Sequence, residues 1–142
     1  MMQLSNYIKI LSGAATTSAG TSTVDGATID TQGYEGVLWI AKFGTAASNN
    51  TLQAQQGAAS DLSDAADLAS TKVGVGSSDE LVWLDLRNPD ERYVRCQALR
   101  GTSTTLDWVI ALPYGPRVLP VDNTTAGTIH GEAHVTPSEG TP

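Results

Sequence analysis

Apolar and polar residues alternate with a period of two in a series of short segments over the first 113 positions, and turn-forming residues separate the segments. Residues 6–11 read as a first strand. The Gly, Ala, Ser and Thr stretch at 12–23 carries no such pattern and reads as an irregular or mobile excursion. Asp25-Gly26 is a turn signal leading into 27–30, and the nearly continuous apolar run 36–43 predicts a strand buried on both faces. Residues 51–56 alternate as a strand with one exposed face. Over 58–69, Leu62 and Leu68 with Asp61, Asp64 and Asp67 spaced three apart predict one or two helical turns or an ordered loop. Residues 80–86 put Leu81, Trp83 and Asp85 on one face and Val82, Leu84 and Leu86 on the other. Asn88-Pro89-Asp90 turns the chain, and 92–99 and 104–112 read as a hairpin around 100–103. Roughly seven or eight short strands with turns between them predict an all-β fold, an antiparallel β-sandwich or jelly-roll-like barrel with a short helical turn.

The pattern changes at Pro113-Tyr114-Gly115-Pro116-Arg117-Val118-Leu119-Pro120. Proline lacks an N–H and biases its predecessor toward extended backbone, so this stretch continues neither a helix nor a central strand. The residues after it are read as having neither helical nor strand periodicity. The expected organisation is a β-sandwich body at 1–113 and an extended C-terminal arm at 114–142.

Length and composition narrow the class. The 142 residues fit one domain, charged residues make up only 16 %, and Thr and Ala lead the composition. A net charge of -7 repels phosphate backbones, so no nucleic-acid partner is expected. Arg87, Arg92, Arg95 and Arg100 cluster in one stretch and are expected to pair with Asp85, Asp90 and Glu91. The lone Cys96 reads as a small buried hydrophobe. No eighteen apolar residues run together, so no membrane association is expected, and synthesis and folding in a cytoplasm are implied.

Catalytic chemistry finds no purchase in the residues. His130-Gly131-Glu132-Ala133-His134 lacks the spacing of a zinc protease helix, and Gly131 and Pro137 oppose a helix there. Asp61, Asp64 and Asp67 lack the alternation of a calcium loop, and Gly74-Val75-Gly76 lacks the third glycine of a dinucleotide loop. No Gly-x-Ser-x-Gly elbow occurs. The expectation is no enzyme, no catalytic or metal-binding residue and no cofactor. Trp39, Trp83 and Trp108 fall in predicted strands and are expected to build the core; as a set they would alternatively offer a platform for sugar rings.

Asp30-Thr31-Gln32-Gly33-Tyr34-Glu35-Gly36-Val37-Leu38-Trp39, Glu91-Arg92-Tyr93-Val94-Arg95-Cys96, Tyr114-Gly115-Pro116-Arg117 and His134-Val135-Thr136-Pro137-Ser138-Glu139-Gly140-Thr141 together resemble the capsid decoration, or cement, proteins of tailed bacteriophages. The resemblance spans most of the chain. It implies a virion structural protein made in the cytoplasm of a bacterial host and seated on the capsid surface. Its partners would be the major capsid protein and further copies of itself, as a homotrimer. The arm would provide the grip, and Tyr114, Pro116, Arg117, Leu119, His134 and Pro137 are its expected interface residues. The competing expectation is a tail or fibre accessory domain that binds host-surface glycans.

Overall fold

The computed structural model describes residues 2–46, 49–124 and 128–141. Its strands in chain order are β1 (Leu11–Ala14), β2 (Thr17–Gly20), β3 (Val24–Asp25), β4 (Ile29–Asp30), β5 (Gly36–Phe43), β6 (Asn50–Gly57), β7 (Ala66–Asp67), β8 (Val73–Val75), β9 (Leu81–Arg87), β10 (Tyr93–Leu99) and β11 (Thr104–Tyr114). They form two antiparallel sheets packed as a sandwich, and no barrel closes. The first sheet has the order β1-β11-β5-β9, with β2 also on β11. The second has the order β3-β10-β6-β7, with β4 on β10 and β8 on β6.

The core lies between them. Val37, Trp39, Phe43, Leu106 and Val109 from the first sheet meet Leu52, Ala54, Val94 and Cys96 from the second, all buried. Full burial of a side chain such as Phe43 or Leu52 contributes about 1.5–3 kcal/mol. The free thiol of Cys96 is in this layer, as its apolar strand context predicts.

Several local expectations are corrected. Residues 12–23 are not an excursion: β1 and β2 both pair with β11, and the register slips between Ser12 and Ala14. Gly13 sits at that slip, where a Cβ would come within 2.8 Å of Val109 Cγ1. No helix forms at 58–69. Leu62 takes φ +55°, outside the right-handed helical region, and the loop closes because Asp64 accepts from the amides of Ala58 (2.9 Å) and Ala59 (3.2 Å). Residues 100–103 do not close a hairpin, because β10 and β11 belong to different sheets. Arg100 holds this crossover. Its guanidinium donates to the carbonyls of Ser22 (2.7 Å), Ser18 (2.6 Å) and Thr104 (3.1 Å), and to Ser22 Oγ (2.8 Å).

The arginines do not pair with Asp85, Asp90 and Glu91. Arg92 grips Asp30 in a two-pronged pair at 2.9 and 2.7 Å, Arg95 lies 3.2 Å from Asp25, and Arg87 lies 3.5 Å from Glu35. Their acids come from β3, β4 and the loop before β5, brought close by sheet pairing rather than by sequence. Proline also enters a central strand. Pro113 is within β11, opposite Val37, and its carbonyl accepts from Lys9 N at 2.8 Å. Nitrogen and carbonyl of one strand residue face the same side, so the missing N–H falls toward the end of the β1 edge and costs the β5 ladder nothing.

Candidate interaction surfaces

The two outward faces of the sandwich have opposite chemistry. On the second sheet, Gln53 Nε2 donates to Asp67 (3.1 Å) and Gln97 (2.8 Å), Gln55 Nε2 to Asp67 (2.6 Å), and Arg95 Nε to Gln55 (2.7 Å). Gln97 completes the chain by donating to Asp25 at 2.6 Å. This network buries Gln53 and Gln55, so β6 does not expose the polar face its alternation predicts. Its polar groups satisfy one another.

The outward face of the first sheet is apolar. Cross-strand register places Trp83, Ile40 and Ile110 in one row across β9, β5 and β11, and Asp85, Leu38 and Leu112 in the next. Trp83 is 65 % exposed and Leu81 63 %. Only Trp39 of the three tryptophans is fully buried; Trp108 is half-buried and shares this outward face with Lys42. The expected three-tryptophan core is therefore reduced to one. Alternation assigned Trp83 and Val82 to opposite faces correctly, but the inward face is the one with Val82 and Leu84.

Charged groups on and around this face are held by short polar contacts. Lys42 Nζ lies 2.8 Å from Asp79 and 3.4 Å from Asp107, and these acids hold its pKa above the ordinary lysine value. Tyr114 donates its hydroxyl to Asp85 at 2.8 Å. Burial, then Asp85, pushes the phenol up to about 12, so it stays a donor throughout the neutral range. Beyond Trp83 the sheet ends: β9 pairs with β5 on one side, and among the described residues no strand pairs its other side. Val73, Gly74 and β9 line a hollow of about 350 Å³ at this edge.

The expected interface residues are spread over different environments. Tyr114 is the last residue of β11 and is engaged with Asp85, so the extended segment begins at Gly115. Pro116 is half-buried, Arg117 is exposed with its amide on the Gly33 carbonyl (2.9 Å), and Leu119 is 50 % exposed. His134 and Pro137 are exposed, and His134 Nε2 lies 3.0 Å from Glu132. The structure does not gather these residues into one site. The first part of the arm is instead fastened to its own N-terminal segment. Val121 N donates to the Asn6 carbonyl (3.0 Å), Asn123 Nδ2 to those of Ser5 (2.8 Å) and Ile8 (3.0 Å), and Lys9 Nζ to that of Asp122. Ile10 N closes the clamp on Asn123 Oδ1 at 2.7 Å. A hollow of about 480 Å³ remains between this clamp and residues 129–133.

Among the described residues, no group of His, Cys, Asp and Glu is arranged to hold a metal ion. One signal for these surfaces is not legible in the sequence and another is. Apolar Ile40, Trp83 and Ile110 on what must be an outer face become visible only once register is known. The alternation Thr128, Ile129, His130, Gly131, Glu132, Ala133, His134, Val135, Thr136 is itself strand-like, although the segment forms no strand in this chain. No protein-family model matches the chain, nor does any curated protein or solved structure.

Proposed function

We propose that this chain is a virion structural protein, a capsid decoration protein that binds the outer surface of a phage head between capsomers and stabilises it against internal DNA pressure. The observation that carries the reading is the apolar outer surface of the first sheet, centred on Trp83, Ile40 and Ile110, with Lys42 held by Asp79 and Asp107 and Asp85 hydrogen-bonded by Tyr114 at its border. Covering Trp83, Ile40 and Ile110 removes apolar surface from water, and the Asp85 carboxylate keeps its Tyr114 hydrogen bond when covered. The partner in this reading is the major capsid protein, with copies of the chain arranged as a homotrimer. The exposed arm beyond the Asn123 clamp supplies a second grip. At about 25 cal/mol per Å², a few hundred apolar Å² per copy adds several kcal/mol before association costs, and the lattice repeats it many times. The reading assigns no catalytic residue, metal or cofactor.

The test is binding to purified heads that lack the chain. Leu81→Lys with Trp83→Lys is expected to lower occupancy at least tenfold and to lower the temperature at which the heads rupture. Full occupancy by that variant would overturn the assignment of this face. Truncation after Leu112 is a poor test of the arm, since it removes Pro113 and Tyr114 from β11; truncation after Thr124 keeps the clamp.

A second reading rests on Trp83 itself. An indole this exposed beside Asp85 and a hollow offers a stacking surface with a polar neighbour, as sugar-binding sites do. A tail or fibre domain binding host-surface glycans would show saturable binding on a glycan array, with a shift in tryptophan emission that Trp83→Ala abolishes.

A further inference from the structure

Two features of this chain have the chemistry of partners for each other but do not meet within one copy. One is the β9 edge, seven residues long, ending a sheet and flanked by the exposed Leu81 and Trp83. Edge strands in soluble proteins are usually kept short or broken by proline or inward charge, because their unpaired backbone groups accept any extended segment. The inward side chains of β9, Val82 and Leu84, are already buried; what remains uncovered is its outward row.

The other feature is residues 128–136. Ile129, Gly131, Ala133 and Val135 alternate with His130, Glu132 and His134, the period of a strand with one apolar face. Proline is absent until Pro137. In this chain the segment is almost wholly exposed, with Val135 at 70 %, and over 130–136 it has no ladder partner among the described residues.

We propose that residues 128–136 are a donor strand that pairs with the β9 edge of a second copy, joining copies head to tail. The apolar row of the donor then continues the outward face of Leu81 and Trp83. Whether the pairing is parallel or antiparallel, matching the row of four to Leu81, Trp83, Asp85 and Arg87 sets a small residue, Gly131 or Ala133, opposite the Trp83 ring and a β-branched one opposite Leu81. The second copy is the occupant because of where the donor starts. Residues 129–133 lie beside Ser5, Asn6 and Ile10, and Lys9 and Ile8 run along the outer side of β11. That is the edge opposite β9. Crossing the sheet covers about 14 Å at ~4.8 Å per strand and uses about four residues at ~3.3 Å each, too many to leave a full match for β9. A donor at one edge and an acceptor at the other make a heterologous contact, which closes into a ring or continues as a filament.

The proposal is independent of the capsid reading, since it concerns the isolated chain. The experiment measures mass by light scattering and native mass spectrometry at tens of micromolar. The unaltered chain is expected above the mass of one copy. Glu132→Pro with Ala133→Pro removes two adjacent donor N–H groups, so one faces the acceptor in either register, and it lies outside every body strand. This variant is expected to run as a single copy, as is Leu81→Lys with Trp83→Lys. Mixed together, the two variants are expected to form a one-to-one complex, because one keeps an intact edge and the other an intact donor. A monomeric unaltered chain, an assembly that survives the proline pair, or a mixture that stays monomeric would each overturn the proposal. Should the lysine variant fail to fold, a peptide of residues 128–136 added to the proline variant replaces it; binding with a blue shift in tryptophan emission supports the proposal and no binding overturns it.

Discussion

Replacing Arg100 by methionine tests how the two sheets are joined. The residue is 9 % exposed, has no acidic partner among the described residues, and donates its hydrogen bonds to Ser18, Ser22 and Thr104. These tie β2, the segment before β3 and the start of β11 to the crossover. Methionine keeps the apolar stem but leaves the carbonyls without their donor. At about 1 kcal/mol net for each hydrogen bond, more where the donor is charged, the loss comes to roughly 3–4 kcal/mol. For a chain of this size that lowers Tm by about 10–15 °C. Arg100→Lys restores the charge but not the planar fork, so it is expected to recover part of the loss. Urea unfolding followed by circular dichroism, with the slope checked for constancy, gives the value directly. A loss below about 1 kcal/mol for the methionine variant would refute the view that this guanidinium holds the crossover, since that is the size of one ordinary hydrogen bond.

Gly36→Ala is expected to destabilise by more than the usual glycine-to-alanine difference, because its Cβ would fall 2.5 Å from the Leu86 carbonyl and 2.6 Å from the Tyr114 hydroxyl; thermal melting reads this. Asp30 is held below its ordinary pKa mainly by the hydrogen bond from Arg92. A depressed carboxyl contributes stability above its unfolded value and loses it as pH falls through the folded value, so Asp30→Asn should lower Tm at neutral pH and match the parent only well below pH ~3.9. Equal melting at pH 7 would refute it. Cys96 is fully buried and its thiol is pushed up to about 12 by desolvation, so a disulfide reagent at pH 8 should label it only after denaturant is added; stoichiometric labelling of the folded chain within minutes would contradict the burial.

What could be read in the sequence follows how strongly each segment depends on its own residues. β5 was legible in its bounds, because eight positions in a row are mostly apolar, but not in its burial: the same run predicts two buried faces, whereas Leu38, Ile40 and Lys42 on its outward face are only half-buried. β1 and β2 were not legible: Ser, Gly, Ala and Thr carry no pattern, and their strand state comes from β11. Over 58–69 the aspartate spacing fits a helix face as well as an ordered loop, and the loop is what forms: Asp64 closes a turn on the amides of Ala58 and Ala59, and Asp67 accepts from Gln53 and Gln55. Residues 100–103 have the length and composition of a hairpin loop. Only the Arg100 contacts, between residues about eighty apart in sequence, turn them into a passage between sheets.

The apolar outer face explains why the tryptophans misled. In β9 both alternate rows are apolar at their first members, Leu81 and Trp83 against Val82 and Leu84, so alternation separates the rows without saying which is inside. β5 decides it. Trp39, Ala41 and Phe43 are fully buried, and register sets Val82 beside Ala41 and Leu84 beside Trp39, which leaves Trp83 beside Ile40 on the outside. A sheet that is apolar on both faces is the pattern of a middle layer, yet a two-layer sandwich covers only one of them. The second sheet, with its outward amide and carboxylate network complete, has no such surplus. The asymmetry places the demand for a further layer on the first sheet alone, where the free β9 edge also lies, and it makes Trp83, rather than any residue of the proline-rich arm, the side chain whose substitution most sharply separates a chain that acts alone from one that acts in an assembly.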